Sequence, residues 1–433
     1  AGGESEGGLS VASGALVLEG TEEDGQEPLV PPLTAPVTPA YLESPLHPED
    51  AEGRDGAEGQ GAAEDAGAGG TRSLETHNPL WYGCRNVGHY EKVNRVDEGT
   101  YGVVFKARNR KTGELVALKK IKMTNNTTRD QGFPITALRE TNVLLALQHP
   151  NIVGMREMVV GSRMDEVFMV MEYYENDLRN VLDYQMKRNR SKRETILGAE
   201  SGADLRKEPV FSARQVKNLM IQLLSAMEYM HRCWFVHRDM KTSNILYNGK
   251  GKLAVCDFGL ARKYGNPIRP YTHNVVTLYY RPPELMLGAR KYSTELDMWA
   301  VGCIFAEMIT GDILFRGNGE IDQLQKIFSV LGLPTAETWP GYQDLPNAKT
   351  FKWKNMGTKN RLRDRFPRPT SAHAFMGSDP ALSDTGFELM SQLLAPNPEK
   401  RISAKDALEH AWFREDPTPL PQEEMPVFPP GGP

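Results

Sequence analysis

The 433-residue chain has only four cysteines, Cys84, Cys233, Cys256 and Cys303, and no two of them form a Cys-x-x-Cys pair. Neither a disulfide framework nor a structural zinc site has that spacing, so the thiols are read as reduced and intracellular. No run reaches the ~18 consecutive apolar residues of a membrane span. The longest candidate, Trp299 to Ile309, is short, broken by Glu307, and reads as a core helix. The opening residues lack a basic-then-apolar pattern, so secretion is not expected. Lysine is missing from the first 80 residues, which hold 16 acidic side chains against two arginines.

What remains is divided unevenly. Residues 1–80, rich in Gly, Ala, Pro, Glu and Asp, cannot bury enough apolar surface to offset the entropy of ordering, and are expected to be disordered. Thr38-Pro39 and Ser44-Pro45 in that segment read either as phosphorylation sites or as chance, and its acidity as a docking tail or as simple solvation. Residues 81–433 carry 40 acidic and 49 basic residues, a balance of +9. That excess suits anionic ligands or phosphorylated partners but falls short of a nucleic-acid signature.

Order is expected from Tyr90. Short β-type runs at 102–107, 115–119 and 166–172 are interrupted by one helix from about Ile135 to Leu147, and the turn Lys111-Thr112-Gly113-Glu114 predicts a hairpin. From Leu178 the pattern turns helical, clearest at 220–231, 297–310 and 387–394. This predicts an α+β chain of two lobes, about 90–172 and 177–413, with a cleft between them. Residues 185–208 read as an irregular basic surface insertion, and 414–433 as an extended proline-rich tail.

Glu98-Gly99-Thr100-Tyr101-Gly102-Val103-Val104 places two glycines where a backbone can fold over phosphates, although ordinary hairpins contain such pairs. In Val116-Ala117-Leu118-Lys119, strand alternation puts Ala117 and Lys119 on one face, which suits an adenine ring beside its phosphates. A lone lysine there would read as an exposed edge residue. Glu140, twenty-one residues on, sits in Pro134-Ile135-Thr136-Ala137-Leu138-Arg139-Glu140, about 100° around a helix from Arg139. It can hold Lys119 while Arg139 reaches another anion. His237-Arg238-Asp239-Met240-Lys241-Thr242-Ser243-Asn244 gathers a carboxylate, an ammonium and an amide in one loop, and Asp257-Phe258-Gly259 follows an apolar strand. Phosphoryl transfer needs this inventory: an acid to orient a hydroxyl, metal ligands, and positive charge on the moving phosphate.

With these motifs the chain resembles the eukaryotic protein kinases over residues 90–413. The helix string Pro-Ile-Thr-Ala-Leu-Arg-Glu narrows the resemblance to cyclin-dependent kinases. Val159-Val160-Gly161-Ser162 and the 271–278 stretch make it most similar to the PITSLRE subgroup. The resemblance implies a bilobal kinase fold, ATP and Mg²⁺ as cofactors, and transfer of the γ-phosphate to Ser or Thr of proteins in cell-cycle or transcription and RNA-processing control. It implies Asp239 as base, with Lys241 and Thr277 assisting, Asn244 and Asp257 as Mg²⁺ ligands, and Lys119 held by Glu140 on the nucleotide phosphates. Val96, Val104, Ala117 and Leu246 would enclose adenine, with Met171 as gatekeeper, Glu172 and Tyr174 as hinge, and Asp177 on the ribose. Asp97, Glu98, Gly99, Thr100, Tyr101 and Gly102 would form the loop over the phosphates.

The same resemblance implies a cyclin pressing on the 135–147 helix, substrates with proline after the target residue, and nuclear residence with cytoplasm as a second compartment. Thr272 matches an activating phosphorylation site, with Arg139, Arg238 and Arg262 expected to converge on it. Thr100 and Tyr101 match inhibitory sites or simply shape a turn. Three departures stand out. Asp97 replaces the loop's first glycine, which should alter nucleotide affinity. Pro282-Pro283-Glu284 replaces Ala-Pro-Glu and keeps Glu284, with Arg401 as its expected partner. Tyr279 replaces a tryptophan. A silent kinase-like scaffold is the main rival, disfavoured because Lys119, Asp239, Asn244 and Asp257 are all present. A dinucleotide-binding oxidoreductase fails because a hairpin follows the glycines and a lysine stands where an acid is needed.

Overall fold

Alternation along one strand decides how the first half of the chain folds. In Leu115–Ile121, Val116 and Leu118 are fully buried in a cluster with Tyr90, Ala107, Val159, Phe168 and Val170. Ala117, Lys119 and Ile121 therefore lie on the opposite face. The computed structural model describes residues 83–99, 102–123, 133–163, 166–197, 210–265, 276–351, 353, 356–369 and 381–430. The expected disordered segment 1–80, Thr100, Tyr101 and Thr272 lie outside the described residues.

The six strands of the first lobe are β1 (Arg85–Asn86), β2 (Tyr90–Gly99), β3 (Gly102–Asn109), β4 (Leu115–Ile121), β5 (Met155–Val160) and β6 (Val167–Glu172), in the order β1-β5-β6-β4-β3-β2. All neighbours are antiparallel except β1 and β5. Order thus begins before Tyr90. Arg85 joins Glu157 of β5 through its Nε (2.9 Å), and Tyr90 donates to the same carboxylate, which ties the leading strand to the sheet edge. Helix α1 (Ile135–Ala146) buries Ala137, Glu140, Val143 and Leu144 and exposes Ile135, Leu138 and Leu145.

The second lobe contains α2 (Leu178–Leu197), α3 (Ala213–Arg232), α4 (Pro283–Met286), α5 (Glu295–Thr310), α6 (Glu320–Leu331), α7 (Leu362–Arg365), α8 (Asp384–Leu393) and α9 (Ala404–Leu408). Two small sheets accompany them: β7 (Asn176–Asp177), β9 (Ile245–Tyr247) and β10 (Leu253–Val255) in the order β10-β9-β7, and β8 (Phe235–Val236) with β11 (Arg262–Lys263). Helix α3 starts at a capping box: Ser212 accepts from the Gln215 backbone N–H, and Gln215 Oε1 accepts from Ser212 N–H. Its Leu219, Leu223 and Leu224 are fully buried, each contributing about 1.5–3 kcal/mol. Helix α5 is apolar on every side and buried from Leu296 through Ile309, the mark of a central core helix.

Two expectations need correction. The 185–208 stretch is helical as far as Leu197, because α2 is seeded by the buried Val181 and Leu182 and continues through Arg- and Lys-rich sequence of good helix propensity. The chain end is not a free tail. Met425 and Phe428 are buried, and Lys217 and Asn218 of α3 hold the backbone of residues 415–420. Its apolar residues are too few to show a period, yet Phe428 packs on Tyr184, Phe211 and Tyr247, and Met425 on Gly251.

Arg401 donates to both oxygens of Glu284 (2.8 and 3.0 Å), with the two side chains 0% and 3% exposed, and its guanidinium lies 5.1 Å from the Trp299 ring. Removing one partner of such a pair leaves an uncompensated buried charge. Arg401→Met should therefore lower the unfolding free energy by about 3–5 kcal/mol, measured by urea denaturation; a change under about 1 kcal/mol would show that Glu284 finds another partner.

Candidate active site

The loop 237–244 hangs from a carboxylate inside α5. Asp297, completely buried, accepts the backbone N–H groups of His237 (2.8 Å) and Arg238 (2.9 Å). Arg238 adopts φ 68, a left-handed conformation that persists where surrounding contacts impose it. His237 donates from Nε2 to Cys256 O (2.9 Å) and its Nδ1 accepts the Asp239 N–H (3.2 Å). Asp239 is thereby presented with both oxygens engaged. Thr277 donates its hydroxyl to Oδ1 (2.9 Å), and Lys241 Nζ lies 2.8 Å from Oδ2. Asn244 donates from Nδ2 to the Asp239 carbonyl (2.8 Å) and to Oδ2 (3.2 Å).

Across the cleft, Lys119 Nζ lies 2.6 Å from Glu140 Oε1 and 3.8 Å from Asp257 Oδ1. Burial works to lower the Lys119 pKa, but the Glu140 and Asp257 carboxylates outweigh it and hold the ammonium above its ordinary value. Burial likewise presses the Glu140 carboxyl upward, opposed by the same lysine. Asp257 sits in the left-handed region at φ 63, and its Oδ1 is buried without a hydrogen-bond partner. Phe258 is fully buried under α1 with its ring 5.0 Å from His237.

No group of three or more His, Cys, Asp or Glu among the described residues forms a metal cage of its own. Asp257 Oδ1 and the Asn244 amide oxygen make a thin donor set. Such a set fits a small divalent ion that completes its shell with water and phosphate oxygens, and not a structural zinc or calcium.

Gly99 and Gly102 pair directly across the β2–β3 turn. A Cβ on Gly102 would stand 2.3 Å from Lys120 O, so no other residue fits this close approach. Val104 pairs with Lys119 and Ala117 with Met171, while Leu246 pairs with Asp177 across the small sheet. Cross-strand partners share a face, so Val104, Lys119, Ala117 and Met171 lie on one side of the first sheet, and Glu172 and Tyr174 follow at the end of β6 and before β7. Val96 is the extra residue of a β-bulge and half exposed. Glu98 is drawn away from the cluster by Arg95 and by Lys122 (3.4 Å). Asp177 caps α2, accepting Asn180 N–H (2.8 Å) and Nδ2 (2.7 Å). Burial raises its pKa, and the like charge of Asp97 adds to the rise.

Arg238 Nε donates to Leu260 O (2.9 Å) and Arg262 Nη1 to Leu260 O (3.4 Å) and Ala261 O (2.8 Å). Arg238 and Arg262 thus share Leu260 O, and burial together with the charge of Arg238 lowers the Arg139 pKa. Val276, 4% exposed, holds φ 67, and its carbonyl accepts Arg281 Nε (3.2 Å) and Nη2 (2.9 Å). Arg281 Nη1 in turn lies 2.5 Å from Glu320 of α6.

Sequence reading missed Asp297 and Glu307. Glu307 accepts Tyr280 Oη–H (2.6 Å) and Arg179 Nη1 (2.7 Å) and stands 3.3 Å from Thr242 Oγ1, joining α2, the catalytic-type loop and the 276–281 stretch. The available signal was an acid inside an otherwise apolar helix, which costs several kcal/mol unless partnered.

The chain matches the protein kinase domain family over residues 90–413. It is 50% identical over 347 residues to cyclin-dependent kinase G-2 of Oryza sativa subsp. indica, covering 80% of this chain and 44% of that protein. It is 49% identical over 353 residues to cyclin-dependent kinase G1 of Arabidopsis thaliana (81% and 53%), and 46% identical over 358 residues to cyclin-dependent kinase 11A of Homo sapiens (83% and 41%). The chain spans about half the length of these curated relatives. Its cleft geometry and these matches agree: the chain belongs to the protein kinase family, with cyclin-dependent kinases among its relatives.

Proposed function

We propose that the chain is an ATP-dependent protein serine/threonine kinase of the cyclin-dependent type, using Mg²⁺. The arrangement that carries this reading is Asp239 with Thr277 and Lys241 on its two oxygens, facing Lys119, Glu140 and the unpartnered Asp257 oxygen. When bound, Mg·ATP supplies the phosphoryl group and the charge neutralisation that its transfer requires. Asp239 orients the substrate hydroxyl and accepts its proton, while Thr277 and Lys241 fix the carboxylate and Lys241 adds positive charge on the phosphate side. Asn244 and Asp257 hold the metal, and Lys119, kept charged by Glu140, holds the phosphates. Val104, Ala117 and Leu246 enclose the base, and Asp177 faces the ribose.

The reading extends to proline after the target residue. Val276 stores left-handed strain, and its carbonyl is occupied by Arg281. A substrate N–H arriving at that point would be desolvated without an acceptor, and proline has no N–H to lose. The exposed apolar stripe Ile135, Leu138 and Leu145 on α1 suits a cyclin, which would hold the Lys119–Glu140 contact already made in this structure. Phosphorylated Thr272 is the anion that suits Arg139, Arg238 and Arg262, the charge of Arg238 already acting unfavourably on Arg139.

Four measurements test these assignments on the cyclin-bound chain. A Ser-Pro peptide should be phosphorylated at least about fivefold more efficiently than its Ser-Ala counterpart, the worth of one unmet N–H, and Asp239→Asn should lower kcat by about 10²–10⁴; equal rates on the two peptides, or an undiminished Asp239→Asn, reject the assignment. Leu138→Glu should abolish cyclin co-purification while leaving the melting temperature within about 2 °C, because the side chain is half exposed. Thr272→Ala should cut activity at least about tenfold by removing the anion that orders the arginines, and full activity would refute that role.

A further inference from the structure

The floor of the cleft is the β10-β9-β7 sheet, and its back is covered by the end of the chain. Leu246 and Tyr247 are neighbours on β9, so their side chains leave opposite faces. Tyr247 is 1% exposed, donates its hydroxyl to Pro426 O at 2.6 Å, and meets the Phe428 ring edge-on at 5.5 Å. Phe428 also contacts the rings of Phe211 (6.3 Å) and Tyr184 (6.1 Å) edge-on. The turn that joins β9 to β10 is gripped by the same segment. Gln422 Nε2 donates to Lys250 O (3.3 Å). Gly251, at φ 70, lies so close that a Cβ there would stand 2.4 Å from Gln422 O and 2.5 Å from the Met425 Cβ.

This segment has a fixed origin. Lys217, buried in α3, donates to Glu415 O and Pro417 O, both at 2.8 Å, and Asn218 donates to Leu420 O at 2.8 Å. The Leu420 N–H donates to Arg214 O (3.0 Å). A strand of three residues has little rigidity of its own. Here its rear face is covered by the anchored segment, whose Phe428 meets Tyr247 on one side and the rings of Tyr184 and Phe211 on others, while its front face carries Leu246, in register with Asp177.

We propose that residues 422–428 are a strap that positions the cleft floor, so that nucleotide affinity depends on the C-terminal segment. They are positioning residues, acting through Tyr247 on Leu246 and Asp177, and the inference rests on the reading of the cleft as an ATP site. A shift of the floor by about 1 Å is enough to weaken a preorganised contact set markedly.

Calorimetric titration of the full chain with Mg·ADP tests this, because Kd reports on folded molecules and stoichiometry reports on how many are folded. Tyr247→Phe, which removes only the hydroxyl bond to Pro426, should raise Kd about 2- to 5-fold. Phe428→Ala and a chain ending at Pro421 should raise it about tenfold or more, with Phe428→Tyr restoring the wild-type value. If all variants bind within about 1.5-fold of wild type, even with a lower melting temperature or reduced stoichiometry, the segment is a stability element only and the proposal fails. Should the truncated chain not fold, Tyr247→Phe and Phe428→Ala decide the matter. A wild-type chain that does not bind Mg·ADP would remove the nucleotide reading itself, and the strap with it.

Discussion

The site depends first on a buried carboxylate in the middle of an apolar helix. Asp297 satisfies two consecutive backbone N–H groups at the start of the loop that carries Asp239, and one of those residues, Arg238, is held in a left-handed conformation. Without a buried acceptor at that point, both N–H groups would be desolvated and the loop would relax toward an ordinary backbone. The charge is affordable in that location because the acceptor receives several donors and His231 Nε2 lies 3.1 Å away. Placing the anchor on a helix buried from Leu296 through Ile309 transfers the rigidity of the core to the loop that carries Asp239. Glu307, further along the same helix, does the same for Tyr280 and for the loop that includes Thr242.

The other half of the site is built on softer ground. Lys119 stands on a strand, Glu140 on a helix whose outer face is apolar and exposed, and Asp257 on a turn packed beneath that helix. The ammonium links the two carboxylates, at 2.6 and 3.8 Å. A rigid acid presented by the second lobe thus faces a cation whose setting depends on where α1 sits. That division lets a partner on α1 control the geometry without touching the core.

Much of this was legible before any coordinates. The alternation in β4 places Ala117 and Lys119 together, and the helical offset between Arg139 and Glu140 separates their targets; both follow from backbone periodicity alone. The cleft residues could be named because their types and order leave little other chemistry. What escaped notice has a common physical character. Asp297 and Glu307 act through contacts distant in sequence, 60 residues from Asp297 to His237 and 65 from Glu307 to Thr242, which no local pattern announces. The polar second half of α2 carries no apolar period, and its helicity is inherited from the packed turns before it. The docking of Met425 and Phe428 depends on a surface that exists only once α2, Phe211 and the β9–β10 hairpin are assembled. Local order was visible, and among long-range pairs Lys119–Glu140 and Glu284–Arg401 were expected, whereas the anchoring acids inside α5 were not.

The two-faced strand β4 has a consequence for what variation the chain tolerates. Leu118, Lys119 and Lys120 occupy successive positions, the first fully buried beneath the sheet and the second turned to the cleft. Loss or gain of a single residue in the strand would exchange the faces of everything beyond it, sending a charged amine into the apolar layer and a leucine into the place beside Glu140. Substitutions there can be graded by size and charge, whereas an indel has no mild form. The spacing between the glycine turn and the lysine is therefore a property of the molecule as strict as the identity of the lysine itself.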